Sequence, residues 1–294
     1  MSRSAIWIDK ISARRDGRFT FFQCQEFFTK AYAQVLLNSF PLRQLESVRQ
    51  PGFSHATIST YRNPQLFREV IAEHKCWQEV CASIDSPDFV RELLLGFGDA
   101  ILCRYPIGVR TLARKWILNP KRYFSEIQFS VRWTGSILSP HTDNADKVLA
   151  LIIYFPEAGQ ESERGGTAFY LPRTRRCEMR VFQRYVKLGW LIPFGLRRLR
   201  STKLPTSDSF QAEDQVREHL EFFDDNYEKI LDAPYNLGSA AGFIKNQYSW
   251  HDLRLNDFSE RAPRRTLLVN VMLRPSRTRA LMNVLTTRRR SSSI

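Results

Sequence analysis

Long hydrophobic runs are missing from this 294-residue chain, and none of its apolar stretches approaches the roughly 18 residues needed to span a bilayer. The segment from Met1 to Arg15 mixes Trp7 and Ile8 with charged residues and lacks the apolar stretch of a signal peptide. These absences argue against a transmembrane protein. They favour a soluble protein of the cytoplasm, or one held peripherally on the inner face of a membrane.

Cysteine and histidine are both scarce. The five cysteines are odd in number and contain no C-x-x-C pair, which argues against a disulfide framework and against a structural zinc site. Any site built from several imidazoles must draw on five histidines, which are His55, His74, His141, His219 and His251.

Acidic residues are rare in two stretches of a chain whose formal net charge is +14. Residues 171–205 contain ten Lys and Arg and one acid, and the tail after Leu273 contains no acid. Within the first stretch, the apolar patch Leu188 to Phe194 is flanked by cations, a composition typical of segments in a membrane interface. The alternative is an insertion that folds back onto the core. Either way, the charge indicates an anionic partner, which is a membrane surface, an acidic substrate or nucleic acid.

The first hundred residues read mainly as helices. Apolar residues recur at helical spacing from Gln25 to Phe40, and Asn63-Pro64 begins a second helix that runs through Val80. A third helix begins at Ser86-Pro87-Asp88, where serine is the cap and proline occupies the first turn. We therefore expect residues 1–100 to form a helical region that supports a sheet.

From about Ile101 the pattern changes to short β-prone runs separated by Gly and Pro, which predicts a sandwich or jelly roll. The expected fold is α+β with a mainly β core, a double-stranded β-helix (jelly roll) braced by the N-terminal helices. A single domain, 1–294, would contain a core at 101–273 with an insertion at about 173–235, and a basic tail at 274–294. Within the insertion, the charge pattern of 210–231 predicts an exposed helix. The runs that predict strands are 126–133, 148–155, 167–171, 242–244 and 266–273.

The most informative motif is His141-Thr142-Asp143. On a β-strand, His141 and Asp143 share a face because side chains alternate with a period of two. Two imidazoles and one carboxylate form the facial triad that holds non-haem Fe(II) and leaves coordination positions open. One strand end can supply two of these ligands, and His251 is the candidate for the third.

Several motifs follow one another in an order that is characteristic of a known superfamily. The segment Ser139 to Tyr154, Gly165-Gly166-Thr167, Ser249-Trp250-His251 and Arg264 to Leu267 together resemble the jelly-roll core of the Fe(II)/2-oxoglutarate-dependent dioxygenases, of the prolyl-hydroxylase-like kind. The resemblance covers roughly residues 128–273. It implies that His141, Asp143 and His251 bind Fe(II), with 2-oxoglutarate and O2 as cosubstrates.

The same resemblance implies an arginine on the strand after the distal histidine, two residues ahead of Ser or Thr. Arg264 and Thr266 match this pattern, and a guanidinium suits the far carboxylate of 2-oxoglutarate. Arg265 would point the opposite way, although a register shift of one residue would exchange the two arginines. Gln128 and Tyr154 are further candidates for contacts with the cosubstrate.

Two departures from the family pattern accompany the match. Asp143 and His251 are 108 positions apart, about twice the usual interval, which indicates an insertion between strands. Asp252 follows His251 where related proteins often have glycine.

The expected activity is hydroxylation of an unactivated C–H bond with release of succinate and CO2. An anionic small molecule or a glycolipid is the favoured substrate, for example an acidic sugar such as the octulosonic acid of lipopolysaccharide, presented at an anionic membrane surface. Soluble secondary metabolites and carrier-tethered amino acids are alternatives, as is a non-catalytic jelly roll that only binds. A nucleic-acid demethylase ranks lower, because Asn270 stands where such enzymes carry a second arginine. The sequence does not define an oligomeric state.

Overall fold

The structure is a computed structural model. It describes residues 12–16, 19–105, 107–133, 137–143, 146–163, 165–185, 202–203, 213–246, 248–254 and 262–274. The apolar patch 188–194 and the basic tail from residue 275 onward lie outside the described residues.

Strands and helices alternate in long blocks along the chain. The strands are β1 (Ser12–Asp16), β2 (Phe19–Cys24), β3 (His55–Ser59), β4 (Tyr123–Arg132), β5 (Ile137–Thr142), β6 (Lys147–Tyr154), β7 (Ala168–Pro172), β8 (Thr202–Lys203), β9 (Tyr227–Asp232), β10 (Ala240–Ile244), β11 (His251–Arg254) and β12 (Arg264–Leu273). The helices are α1 (Lys30–Asn38), α2 (Leu42–Ser47), α3 (Pro64–Ala72), α4 (Lys75–Ile84), α5 (Pro87–Leu102), α6 (Ile107–Ile117), α7 (Arg175–Tyr185) and α8 (Glu213–Asn226), with a 3₁₀ turn at Pro120–Arg122.

The strands form two antiparallel sheets. The large sheet has the order β1-β2-β10-β6-β12-β4-β3, and the small sheet has the order β8-β5-β11-β7-β9. From β4 to β7, consecutive strands alternate between the large and the small sheet, and β9 to β12 alternate in the same way, starting in the small sheet. This topology is that of a jelly roll, and the predicted fold class is confirmed.

Three strands in the first hundred residues were missed by the sequence prediction. β1, β2 and β3 extend the two edges of the large sheet, so residues 1–100 contribute to the sheet as well as supporting it. The helix predicted from Asn63 through Val80 is two helices, because α3 ends at Ala72 and α4 begins at Lys75. Helical spacing continues across this break, so periodicity alone did not show it.

The predicted helix at 210–231 is only partly correct. Helix α8 ends at Asn226, and the next residues form β9, which pairs with β7 in the small sheet. The interruption of the jelly roll is therefore shorter than 173–235, since it ends where β9 begins. The charged, helix-compatible sequence of β9 is held extended by its pairing with β7, which is a tertiary effect.

Apolar side chains cover both faces of the large sheet, which explains the uninterrupted hydrophobic run of β6. On the outer face, Phe129 and Phe155 pack against Trp77 of α4, with ring centroids 4.8 and 5.5 Å away. On the inner face, between the sheets, aromatic residues such as Phe169 and Phe243 form a second cluster. The metal-binding candidates lie at this inner face.

Helices α7 and α8 of the insertion cover the small sheet. Phe223 of α8 is fully buried and its ring lies 5.2 Å from Trp250 and 4.7 Å from Tyr227. Val181 of α7 belongs to the same apolar cluster. In the part of the chain that the structure describes, no helix is both long enough and apolar enough to cross a bilayer.

Candidate metal centre

Strand pairing brings the two separated histidines together. His141 near the end of β5 lies directly opposite His251 at the start of β11, so their side chains leave the sheet on the same face. The ring centroids are 4.2 Å apart. Asp143 follows β5 directly, and one ligand atom from each of the three residues lies within 4.8 Å of the others. No other group of three potential ligands occurs among the described residues.

Backbone carbonyls orient both imidazoles in the same way. The Nδ1 atom of His141 lies 2.9 Å from the Ser139 oxygen, and that of His251 lies 3.0 Å from the Ser249 oxygen. A carbonyl only accepts, so each Nδ1 carries a proton, which leaves Nε2 as the atom that each ring can present to a metal. The two Nε2 atoms lie 3.7 and 3.8 Å from oxygens of Asp143. Such outer hydrogen bonds are what fix histidine ligands in metal sites.

Asp143 is kept ionised by its neighbours. Burial, the largest influence, would raise its pKa, but the Lys147 ammonium and the two histidines outweigh burial and hold the pKa well below the ordinary range. The Lys147 Nζ atom lies 2.8 Å from Asp143 Oδ2. Lys147 was not predicted from the sequence, where the available signal was a cation four residues after the aspartate, at the start of the next strand.

His251 lies deep in the inner aromatic cluster. Its ring centroid is 4.3 Å from that of Phe243, and burial followed by the proximity of His141 lowers its pKa to about 3. The imidazole is therefore neutral at physiological pH, the form in which histidine binds metals. Lys245 lies at the same end of the sandwich, and burial lowers its pKa to about 7 against the opposing influence of Asp143.

Arg264 is a buried cation with an unused donor. It is 4% exposed, and its Nε donates to the Gly165 carbonyl at 3.2 Å. Its Nη2 atom is buried and makes no hydrogen bond within the described part of the chain. The guanidinium lies over Tyr154 and Tyr235, 5.2 and 5.5 Å from their ring centroids. A buried unsatisfied charged donor is costly, so this position suits an anionic ligand.

Arg265 has a different environment. Its Nη2 forms an ion pair with Glu157. Together with α1 and α2, Arg265 and Glu157 line a surface pocket, whereas Arg264 contacts the inner cluster. The alternation of β12 therefore gives the two neighbouring arginines opposite surroundings.

The other predicted site residues share the inner face of the large sheet. Thr266 of β12 lies opposite Tyr154 of β6 and Ser130 of β4, and Gln128 lies two residues before Ser130 on β4. The Tyr154 hydroxyl donates to Thr167 Oγ1 and accepts from the Thr167 amide, both at 3.1 Å. The structure thus brings Tyr154 beside Arg264, while Gln128 and Thr266 share their face without a hydrogen bond to Arg264 or to the three ligands.

Residues next to His251 have structural roles. Trp250 packs in the apolar cluster under α8. Asp252 is buried and accepts a hydrogen bond from the Tyr170 hydroxyl at 2.9 Å, which gives a reason for aspartate at a position where glycine was expected. Tyr235, a second aromatic wall beside Arg264, was not found from the sequence because nothing in its local pattern marks it.

No family model matches the sequence, and no curated protein matches it. Among solved structures, the chain is similar to a prolyl-4-hydroxylase from Pseudomonas putida, with a TM-score of 0.38, 12% identity, and coverage of 86% of this chain and 92% of that chain. It is also similar to SnoN, a non-heme alpha-ketoglutarate-dependent epimerase of nogalamycin biosynthesis, with a TM-score of 0.40, 9% identity, and coverage of 88% and 81%. A prolyl hydroxylase from Trichoplax adhaerens gives a TM-score of 0.36 and 8% identity, with coverage of 86% and 83%. These TM-scores are low, so function is inferred below from the side chains of the site.

Proposed function

We propose that the protein is an Fe(II)- and 2-oxoglutarate-dependent dioxygenase that hydroxylates an unactivated C–H bond of an anionic substrate, with release of succinate and CO2. The observation that carries this proposal is the convergence of His141, Asp143 and His251 at one end of the jelly roll.

The three side chains fit Fe(II). Two neutral imidazoles and one carboxylate are the 2-His-1-carboxylate set that holds iron while leaving positions for other ligands. Each imidazole already donates its Nδ1 proton to a carbonyl, so Nε2 is the ring atom that remains for the metal. No cysteine accompanies them in this cluster of described residues, which sets the site apart from structural zinc centres.

Arg264 fits the far carboxylate of 2-oxoglutarate. Its buried, unpaired Nη2 would gain a charge-assisted hydrogen bond, the kind a guanidinium makes with a carboxylate. Tyr154 and Tyr235 form aromatic walls beside it. Burial, the largest influence, raises the pKa of both tyrosines, to about 12 for Tyr235, so both hydroxyls stay neutral and add no negative charge against an incoming carboxylate.

When bound, iron with 2-oxoglutarate and O2 supplies the oxidising chemistry, and the protein supplies orientation. His141 and His251 present their Nε2 atoms, and Asp143 remains anionic because Lys147 neutralises its second oxygen. Phe169 and Phe243 pack beside His251 and exclude water from that side of the site. Asp143 and His251 need not change protonation state to bind the metal near neutral pH.

The basic insertion supports an anionic substrate. Its short strand β8 pairs with β5, and Lys203 stands opposite His141 in the register. The basic segment therefore returns to the strand that carries His141 and that Asp143 directly follows. We propose an acidic sugar on a lipid carrier, such as the octulosonic acid of lipopolysaccharide, as the substrate class.

Turnover of 2-oxoglutarate tests the reaction. The purified protein should form succinate only with Fe(II), and His141→Ala should abolish both iron binding and succinate formation. Arg264→Met should raise the KM for 2-oxoglutarate at least tenfold, because one charge-assisted carboxylate contact is lost.

Arg265→Met is the matched control, since Arg265 pairs with Glu157 away from the inner cluster. An equal effect of both substitutions would contradict the role of Arg264, and unchanged turnover in His141→Ala would overturn the proposed centre. Mass spectrometry of a membrane extract after reaction tests the substrate class: a product gaining one oxygen in the lipid fraction is expected, and a product found only among soluble metabolites would overturn it.

A further inference from the structure

Helix α6 carries an apolar stripe that is largely exposed in the described part of the chain. Val109, Leu112 and Trp116 are spaced i, i+3 and i+7, so they lie on one side of the helix. Leu112 is 91% exposed and Trp116 is 57% exposed. Leu95 of the adjoining α5 is 79% exposed. We call these four residues the α6 face.

The exposure of this face is not a consequence of a loosely attached helix. Ile117, the last residue of the helix, is fully buried, and Ala113 packs against the core. Arg110 fixes the start of the helix by donating to the carbonyls of Tyr105 and Cys103, at 2.6 and 3.1 Å. The helix is therefore fixed to the core by these contacts, and its apolar stripe faces outward. Convex, protruding Leu and Trp side chains suit insertion between lipid chains better than docking into a groove.

The charge around the α6 face is mainly positive, although Arg114 of α6 pairs with Asp99 of α5 at 3.4 Å. Residues 100–125 contain six Lys and Arg and no Asp or Glu. Arg122 stacks on Trp116, with its guanidinium carbon 3.2 Å from the ring centroid, and Lys115 and Lys121 are exposed nearby in the sequence. Tryptophan and leucine beside cations are the composition of interfacial helices that bind anionic lipid.

The α6 face belongs to the same end of the sandwich as the candidate metal centre. Arg104, just before α6, donates to the Lys147 carbonyl at 3.1 Å, and Lys147 pairs with Asp143. Just after α6, the Arg122 carbonyl accepts from the amide of Arg274, at the end of β12. Both ends of the α6 segment are thus tied to the sheet end where β6 begins.

We propose that the α6 face docks the protein on an anionic lipid bilayer, with α6 lying in the interface and Leu112 and Trp116 inserted among the acyl chains. Docking is independent of catalysis. Its consequence, that the metal end of the sandwich is held next to a lipid-presented substrate, rests on the proposed function.

Vesicle sedimentation of the full-length protein tests the docking. Wild-type protein should bind phosphatidylglycerol/phosphatidylethanolamine vesicles and not phosphatidylcholine vesicles, and added salt should weaken the binding. Leu112→Gln should weaken binding about tenfold, because one buried leucine side chain is lost. Lys121→Gln should weaken it about fivefold through the lost charge. Val35→Gln, at an exposed apolar position on α1, is the control and should bind like the wild type.

Brominated lipids test insertion separately from surface charge. Bromine on the acyl chains should quench tryptophan fluorescence of the wild-type protein when vesicles are added. Trp116→Phe keeps an apolar ring but removes this fluorophore, so vesicle binding should persist while the quenching falls sharply. Quenching that is unchanged in Trp116→Phe would overturn insertion through α6.

Other outcomes are equally decisive. Vesicle binding by Leu112→Gln equal to that of the wild type would show that other basic segments carry it. A concentration-dependent dimer that Leu112→Gln abolishes, without vesicle binding, would show that a second copy of the chain covers the face. Each result overturns the proposal. All measurements are made without iron and 2-oxoglutarate, so a failed oxygenase assay leaves them unaffected.

Discussion

Arg264 and Arg265 show how the position of one residue on a strand decides its chemistry. The two side chains are adjacent and chemically identical, yet one lies in the aromatic interior and the other pairs with Glu157. Strand alternation predicts that they face opposite ways. Which one faces inward depends on the register of β12 with β4 and β6, and that register is a property of the sheet.

Tyr154 illustrates the cost of burying polar groups between the sheets. Its hydroxyl is the partner of both the Thr167 side chain and the Thr167 amide. Tyr154→Phe would leave a buried N–H without a partner, so it should lower the free energy of unfolding by about 1–3 kcal/mol. Urea denaturation measures this change.

Tyr61→Phe is the corresponding control, because the Tyr61 ring is exposed; its effect should stay within about 0.5 kcal/mol. Equal stability of the two variants would show that the Tyr154 hydroxyl contributes nothing.

Lys245 should make the stability of the metal-free protein depend on pH. Burial lowers its pKa to about 7, below the value of about 10.4 in an unfolded chain. Between these values the unfolded chain binds the extra proton, so stability should rise with pH, by at most about 1.4 kcal/mol per unit. The free energy of unfolding therefore falls as the pH is lowered from about 10.4 to about 7, the folded-state pKa of Lys245.

The control variant is Lys245→Met, which keeps an unbranched apolar side chain but has no group that titrates. Urea denaturation is measured in the presence of a chelator at pH 7 and pH 9.5. Between these pH values, the free energy of unfolding should rise more for the wild type than for the variant. Parallel pH profiles for the two proteins would mean that Lys245 keeps an ordinary pKa in the fold.

Replacing glycine by alanine should change stability in opposite directions in β10 and in α5. In β10, a Cβ on Gly242 would lie 2.3 Å from the Ala150 oxygen and 2.3 Å from the Phe22 ring. The backbone oxygen is fixed by the sheet, so Gly242→Ala should destabilise the protein by about 1–3 kcal/mol. In α5, nothing lies within 4 Å of a Cβ on Gly96, and Gly96→Ala should stabilise it by about 0.5–1 kcal/mol. Thermal denaturation of both variants measures the difference, and a stabilised Gly242→Ala would show that β6 and β10 are further apart.

Element prediction succeeded where local sequence and tertiary context agree. The uninterrupted apolar run of β6 and the serine and proline at the start of α5 were sufficient to predict those elements. β9 failed because its charged residues are compatible with the preceding helix, and only pairing with β7 holds them extended. β2 and β3 were missed because they are short and pair with β10 and β4, far along the chain, and β1 is a short edge strand that pairs with β2.

In the whole molecule, the sandwich is covered on both sides, by the N-terminal helices over the large sheet and by α7 and α8 over the small sheet. Phe223 anchors the second layer, so Phe223→Ala should lower stability by about 3–5 kcal/mol. Amide exchange should quicken in α8 and β7. Met179→Ala, at an exposed position on α7, is the control. Unchanged exchange in α8 would show that the insertion is held by other contacts.

The sequence determined the identity of the candidate ligands and the chemistry they suit, because His141, Asp143, His251 and Arg264 carry that chemistry in their own functional groups. Tertiary structure decided which of these groups meet and what surrounds them. Pairing of β5 with β11 sets His141 opposite His251, and the approach of β6 brings Lys147 to Asp143. The physical reason is that residue type and alternation are local properties, whereas register and burial arise only when distant strands pack together. The same holds for Arg264 Nη2, a donor left without a partner among the described residues.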